Sequence, residues 1–312
     1  MSHPNPINRR KFLGLTTATS SALLFSSLET FAEKHKPAFV KNAAGFELLI
    51  MATNWGFPGN ADEFCAKAKK EGYNGVEVWM PGDDKGRNEI AAATQKHGLH
   101  LAFLYGGGDK DPVKHLAQFK EGVNAGIKLK PVYFNCHSGK DFFTYEQNKP
   151  FIDFTTELSK QTGIPIYHET HRGRSLFAGH ITKNFIDKNP ELKLTLDISH
   201  WCAVHESLMW DQDETVDSAL SRTHHIHARV GHPEGPQVSD PRAPEWKDAV
   251  EKHFSWWDKV VERKKKNGER LTVLTEFGPP DYMWTLPYTR QPLSDQWAIN
   301  VHMMNIFRKR YS

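Results

Sequence analysis

The sequence predicts an α/β fold, a single (β/α)8 TIM barrel in which eight parallel strands alternate with helices. Three observations predict it. Short apolar runs alternate with amphipathic segments from residue 46 onward. No Gly/Ser linker or internal repeat divides the chain. The 312 residues suit one barrel, which typically takes about 250, behind a short leader.

Residues 1–32 read as that leader, a twin-arginine-type signal peptide. Arg9 and Arg10 precede Lys11, Phe12 and Leu13, and the stretch that follows is uncharged until Glu29. Its Ser, Thr and Ala content makes it too polar for a membrane span, which needs about 20 apolar residues. The paired arginines resemble the twin-arginine export signal, which implies an exported, periplasmic protein that folds before transport. No cysteine lies nearby to carry a lipid, so no stable membrane anchor is expected. Residues 33–45 form a short lead-in, and 46–312 the barrel.

Strands are predicted at 48–52, 75–79, 100–105, 131–135, 164–168, 192–197, 224–229 and 271–276. Each is a short run, partly β-branched or aromatic, bounded by Gly, Pro, Asn or Asp. Helical spacing of apolar residues predicts helices at 60–71, 86–97, 111–125, 145–162, 175–188, 246–266 and 294–310. An open doubly wound sheet would carry a glycine fingerprint after its first strand. Gly106-Gly107-Gly108 follows the third strand without that spacing and reads as a loop. Trp256 and Trp257 fall on the apolar side of a helix and are expected in the core. Lys264-Lys265-Lys266 reads as a solvated helix C-terminus.

Composition excludes several classes. With 38% hydrophobic and 25% charged residues, the chain is neither disordered nor a multi-span membrane protein. Its formal net charge of +3 is too weak for a nucleic-acid surface. Arg9, Arg10 and Lys11 in the leader carry most of that excess. Cys65, Cys136 and Cys202 cannot build a disulfide framework and suit folding in a reducing compartment. The 17 histidines are densest between His168 and His232, and neutral imidazole is the commonest metal ligand.

Barrel chemistry collects at the C-terminal ends of the strands. Four consecutive predicted strands end on Glu169, Asp197, a histidine of the His225–His227 pair, and Glu276. Carboxylates at the ends of apolar strands are costly to bury unless paired or metal-bound. The set suits one divalent metal ion. Its oxygen content favours Mn²⁺ or Mg²⁺, and its imidazole keeps Co²⁺ and Zn²⁺ open.

These strand ends resemble the xylose-isomerase-like TIM-barrel superfamily, in its sugar phosphate isomerase/epimerase branch. The matching motifs are His168-Glu169-Thr170-His171, Leu196-Asp197-Ile198-Ser199-His200, His225-Ile226-His227-Ala228-Arg229 and Leu274-Thr275-Glu276-Phe277-Gly278. Asn135-Cys136-His137-Ser138-Gly139 resembles the fourth-strand loop of that superfamily. The resemblance implies that Glu169, Asp197, His227 and Glu276 are metal ligands, with Mn²⁺ expected first. It implies substrate contacts at His200 and Arg229. It further implies that Glu169 and Glu276 flank a carbonyl-bearing sugar as an acid/base pair.

Other residues stay open. His137 reads equally as a loop-capping histidine and as a substrate contact. His168 and His171 flank Glu169; His171 is taken as a substrate contact, and either could orient a ligand. Glu77 points into the barrel mouth or pairs with a lysine. Arg229 stands where the family usually has an acidic residue. No phosphate cradle is evident, so the expected partner is an unphosphorylated keto-sugar or sugar derivative. The expected activity is isomerisation or epimerisation, with 3-keto-glycoside elimination or hydration as the alternative. A phosphodiesterase of the apurinic-endonuclease type and a non-catalytic sugar-binding barrel rank below both.

Overall fold

A computed structural model describes residues 45–311. The expected leader, 1–32, and nearly all of the lead-in lie outside these residues. Eight parallel strands close into a barrel in chain order. They are β1 (Glu47–Thr53), β2 (Gly75–Trp79), β3 (His100–Tyr105), β4 (Phe134–Cys136), β5 (Ile166–Glu169), β6 (Leu194–Leu196), β7 (Thr223–His227) and β8 (Arg270–Thr275). Around them run α1 (Ala61–Glu71), α2 (Asp84–His97), α3 (Pro112–Ile127), α4 (Tyr145–Thr162), α5 (Gly179–Lys188), α6 (Ile198–Val204), α7 (Asp213–Arg222), α8 (Lys247–Asn267) and α9 (Gln296–Tyr311). None of these helices is long and apolar enough to cross a membrane.

Local chemistry sets the helix ends. Asn60 and Glu63 form a capping box on α1, as Thr144 and Gln147 do on α4. Asp111 caps α3, whose first turn opens with Pro112. Gly72, Gly163 and Gly268 end α1, α4 and α8 in the left-handed region. The start of α5 has no side-chain cap of its own. His205 supplies one from a distant loop, its Nε2 accepting the Gly179 N–H at 3.0 Å.

Two apolar layers hold the barrel. Outward-facing strand residues pack against the helices, with Trp257, Phe103 and Phe134 fully buried. Inward-facing residues Leu49, Met51, Ala102, Tyr133, Tyr167 and Leu274 fill the barrel itself. Alternation along β5 sends Tyr167 and Glu169 inward, while His168 faces α4. There Thr155 already donates to backbone carbonyls of its own helix. His168 therefore donates from Nε2 to the Thr155 hydroxyl and accepts the Ser138 hydroxyl at Nδ1.

Several boundaries differ from the sequence expectation. Strand β4 starts at Phe134 rather than 131, and β5 at Ile166 rather than 164. Pro131 and Pro165 lack the N–H that a ladder needs. Strand β6 is trimmed at both ends of 192–197. Strand β7 stops at His227, two residues early. The helix expected from 175 starts at Gly179, because 171–178 form a loop tied down by Ser175 N–H donating to the Ser138 carbonyl at 2.9 Å. Between β6 and β7 stand α6 and α7, which the expected element order omits; Trp201 is fully buried on α6. Lys264 corrects the solvated-terminus reading. It is 1% exposed, with Nζ bonded to Glu269 and to Nδ1 of His224.

Candidate metal and sugar site

The C-terminal ends of β5 to β8 bring Glu169, Asp197, His227 and Glu276 together. One donor atom from each lies within 4.8 Å of the others, and all four residues are buried. His227 Nδ1 is 2.8 Å from Glu276 Oε2 and 3.5 Å from Glu169 Oε2. Among the described residues, Glu169 Oε1 lacks a hydrogen-bond partner, and His227 Nδ1 and Glu276 Oε2 have no hydrogen bond beyond their own close contact. Buried polar atoms are otherwise almost always satisfied, so this converging donor set fits a divalent cation in chemistry and in geometry.

Asp197 stands differently. Its Oδ1 accepts from Ser199 Oγ and from Ser199 N–H, which makes it the N-cap of α6. Its Oδ2 meets the Arg229 guanidinium. Arg229 also lies 3.5 Å from Glu276 Oε2 and donates to His200 Nε2 at 2.9 Å. Burial pushes the Asp197 carboxyl up to about 6, with Arg229 opposing and Glu276 and Glu169 adding to the rise. Arg229 thus holds the carboxylate that a cation would share.

Beneath the donor set lies a support that the sequence left open. Glu77 is buried on β2, with Oε2 accepting from Tyr133 Oη at 2.6 Å and His225 Nε2 at 2.9 Å. Its Oε1 accepts from His227 Nε2 at 3.1 Å and Asn135 Nδ2 at 3.2 Å. Burial opposes ionisation of Glu77, but His227 and His225 outweigh it and hold the carboxyl far below the usual range. A proton on His227 Nε2 leaves the Nδ1 lone pair for a cation. Burial works against charging His227, yet Glu276, Glu169 and Glu77 keep it well above the ordinary histidine range, so a cation binding at Nδ1 would displace a proton there. Asn135 Nδ2 also donates to Glu169 Oε2 at 2.9 Å. Glu77, His225 and His227 could hold an ion by proximity alone. Their atoms are taken up by these bonds and by Thr272, 2.7 Å from His225 Nδ1.

Above the donors, His137, His171 and His200 form a row, with ring centroids 4.4 Å and 3.9 Å apart. His137 Nε2 lies 3.0 Å from Glu169 Oε2, and His137, Glu169 and His171 form a further group of possible ligands. Burial, then neighbouring charge, holds His171 and His200 well below the ordinary histidine range, so both are neutral. Burial penalises the Glu169 charge, but His137 and His227 keep its carboxyl well below the usual range.

The row opens into a cavity of about 350 Å³ lined by Trp55, Trp79, His137, Arg174, Arg229 and Tyr282, among others. Tyr282 lies edge-on to Trp55 at 5.0 Å and faces the Arg229 guanidinium at 4.7 Å. Trp79 meets His137 edge-on at 5.1 Å and is 44% exposed at the mouth. These aromatic walls come from the end of β2 and from the loops after β1 and β8, so no motif marks them in the sequence. Of the residues expected in the site, His137, His171, Arg229 and Glu276 line this cavity, and Asp197, His200 and His227 lie fully buried beside it.

A family profile described as xylose isomerase-like TIM barrel matches residues 65–269. The chain belongs to that family. A comparison with curated proteins finds no significant sequence match. Among solved structures, the apo form of a 3-keto-D-glucoside 4-epimerase from E. coli is similar at a TM-score of 0.57 and 14% identity, covering 84% of this chain and 100% of that one. A probable 3-DHS dehydratase from Bacillus anthracis, involved in petrobactin synthesis, has a TM-score of 0.52 at 14% identity over 84% and 99% of the two chains. Endonuclease IV from Thermus thermophilus has a TM-score of 0.51 at 12% identity over 85% and 97%. At these identities the likeness is one of fold. The same barrel fold carries an epimerase, a probable dehydratase and an endonuclease among these structures, and a shared fold does not fix the reaction.

Proposed function

We propose that this barrel is a metal-dependent isomerase or epimerase of an unphosphorylated keto-sugar or sugar derivative. The reaction is proton abstraction beside a carbonyl, with Glu169 and Glu276 as the acid/base pair. The observation that carries the reading is the convergence of Glu169, Asp197, His227 and Glu276, with unpartnered donor atoms, beside an aromatic-walled cavity.

A divalent ion held by these four residues, Mn²⁺ first and Mg²⁺, Co²⁺ or Zn²⁺ next, would supply a Lewis acid that polarises the sugar carbonyl. The chain's own groups do the rest. Glu169 and Glu276 rise from β5 and β8, three strands apart around the barrel. A sugar between them meets a carboxylate on each side, so one can take a proton and the other return one. Glu77 and Asn135 hold His227 and Glu169 in place. Trp55, Trp79 and Tyr282 give the cavity an aromatic wall against which a sugar can pack. Neutral His171 and His200 can hydrogen-bond hydroxyls.

A lyase or hydratase acting on 3-keto-glycosides is the second reading. It shares the first proton transfer and differs in expelling a leaving group instead of reprotonating. The epimerase and the probable dehydratase among the similar structures agree with a site able to do either.

The test is NMR in deuterated water with free ketoses and 3-keto-glycosides, with metal content measured in parallel. Purified protein is expected to hold about one divalent ion per chain and to exchange the proton beside the carbonyl. Glu169→Gln is expected to abolish exchange; an unchanged rate removes Glu169 from the mechanism. Full activity in metal-free protein overturns the metal site. Export through the twin-arginine route belongs to the same reading. Arg9→Lys combined with Arg10→Lys is expected to stop transport, and continued export of that variant refutes it.

A further inference from the structure

Two arginines line the cavity, and their surroundings differ. Arg229 is spent on ion pairs with Asp197 and Glu276. Among the described residues, Arg174 makes no ion pair. Its hydrogen bond runs from Nη1 to the Gly107 carbonyl at 3.2 Å. That leaves Nε and Nη2, the two donors on one edge of the guanidinium. Burial pulls the Arg174 guanidinium below the ordinary arginine range, with the charges of Glu169 and Asp141 offsetting this in part. A desolvated cation without a counter-ion is costly, so such a group usually has a use.

The position of Arg174 is fixed. The turn 171–174 is closed by Arg174 N–H donating to the His171 carbonyl at 3.1 Å, and Ser175 ties it to the β4 loop. In that loop Lys140 stands half-buried, also without an ion pair among the described residues. Burial, then repulsion from Arg174, pulls its ammonium down, and Asp141 opposes this. Arg174 therefore puts a cation on the cavity wall, and Lys140, which does not line the cavity, adds positive charge nearby. The donor set of Glu169, Asp197 and Glu276 is anionic.

We propose that the substrate of this cavity carries a carboxylate, taken by the free Nε–Nη2 edge of Arg174 while the carbonyl end faces Glu169 and Glu276. The inference rests on the sugar reading above and narrows it to sugar acids. A planar guanidinium edge matches a carboxylate in two parallel hydrogen bonds, which a hydroxymethyl group cannot repeat. The opposite charges of the two sides then set which end of the sugar meets the acid/base pair.

The experiment is calorimetric binding to Mn²⁺-loaded full-length protein. The probes are pairs differing in one group, carboxylate against hydroxymethyl: D-glucuronate and D-glucose, D-galacturonate and D-galactose, 5-keto-D-gluconate and L-sorbose. D-glucose 6-phosphate is a separate arm. Wild type is expected to bind the acid of at least one pair about tenfold more tightly than its neutral partner. Arg174→Leu is expected to erase that preference with metal content unchanged, and Arg174→Lys to restore part of it. A preference that survives in Arg174→Leu overturns the proposal, because the metal or Arg229 would then be taking the acid. Equal binding within every pair, binding of no acid, or tighter binding of the phosphate than of every acid also overturns it. Deuterium exchange into neutral keto-sugars, found together with no preference for any acid, would sink this inference and leave the proposed function standing. Acid binding through Arg174 with no exchange into 5-keto-D-gluconate would do the reverse.

Discussion

Glu77→Gln separates a support for the donor set from a mere structural carboxylate. Four donors meet its two oxygens: Tyr133 Oη and His225 Nε2 on one, His227 Nε2 and Asn135 Nδ2 on the other. Only an ionised carboxylate accepts all four. The amide turns one oxygen into an NH₂ group, so two of the four donors then face a donor. Hydrogen bonds to a charged group contribute about 1.5–3 kcal/mol each. Losing two gives roughly 3–6 kcal/mol, close to the range of about 3–5 kcal/mol for breaking a buried ion pair. In a chain of this size that lowers Tm by on the order of 10 °C. The His227 ring also loses the partner that sets its tautomer, so Mn²⁺ affinity should fall about 10–100-fold. Thermal melts followed by circular dichroism and Mn²⁺ titration by calorimetry read the two effects. Tyr133→Phe is the control, because it removes one donor and keeps the charge; a loss of about 1.5–3 kcal/mol and unchanged Mn²⁺ affinity are expected. If Glu77→Gln binds Mn²⁺ like the wild type, the proposed link between Glu77 and the donor set is wrong.

Two further predictions concern the frame around the site. Burial holds His253 down to about 4, with the Ala249 carbonyl opposing. Its Nδ1–H donates to that carbonyl at 2.8 Å and its Nε2 accepts the Gly231 N–H at 3.1 Å. An unfolded histidine titrates near 6.5, so the unfolded chain binds the extra proton between about pH 6.5 and 4. Stability must therefore fall as pH falls through that window, by about 3 kcal/mol for this residue. His253→Gln should flatten the slope of Tm against pH by about one proton there, and an unaltered slope refutes the assignment. Gly139 has φ of 57°, and a Cβ on it would lie 1.9 Å from Asn148 Oδ1. Asn148 is pinned by its own bonds to the Lys140 and Phe143 carbonyls. Gly139→Ala should cost about 1–3 kcal/mol, read as a lower midpoint in urea; an equal midpoint would show that the loop can give way.

Much of the frame was legible in the sequence because it is local. Strand runs, capping boxes and C-terminal glycines act over a few residues, and α4 spans the predicted 145–162. Helix α7 carried a readable pattern too, with Val216, Ala219 and Leu220 buried at helical spacing. Helix α6 did not, being two turns that hang on Asp197 as its cap. The histidine cluster was legible as a composition but not as a set of roles. His205 caps α5, His253 braces the β7 loop, His168 bonds between β5 and α4, and His224 meets Lys264. Those partners are 13 to 40 residues away, beyond any motif.

The sequence by itself determined the strand–helix alternation and brought Glu169, Asp197, a histidine of the His225–His227 pair and Glu276 together, because a barrel sends strand ends to one mouth. Tertiary structure decided what surrounds them. Closure of β1 to β8 carried Glu77 from β2 beneath His227, 150 positions away in the chain. It set Arg229 against Asp197, and among the described residues it left Arg174 without an ion pair in a cavity walled by Trp55, Trp79 and Tyr282. Charge pairing and burial depend on distance in space, and spacing along the chain does not encode them.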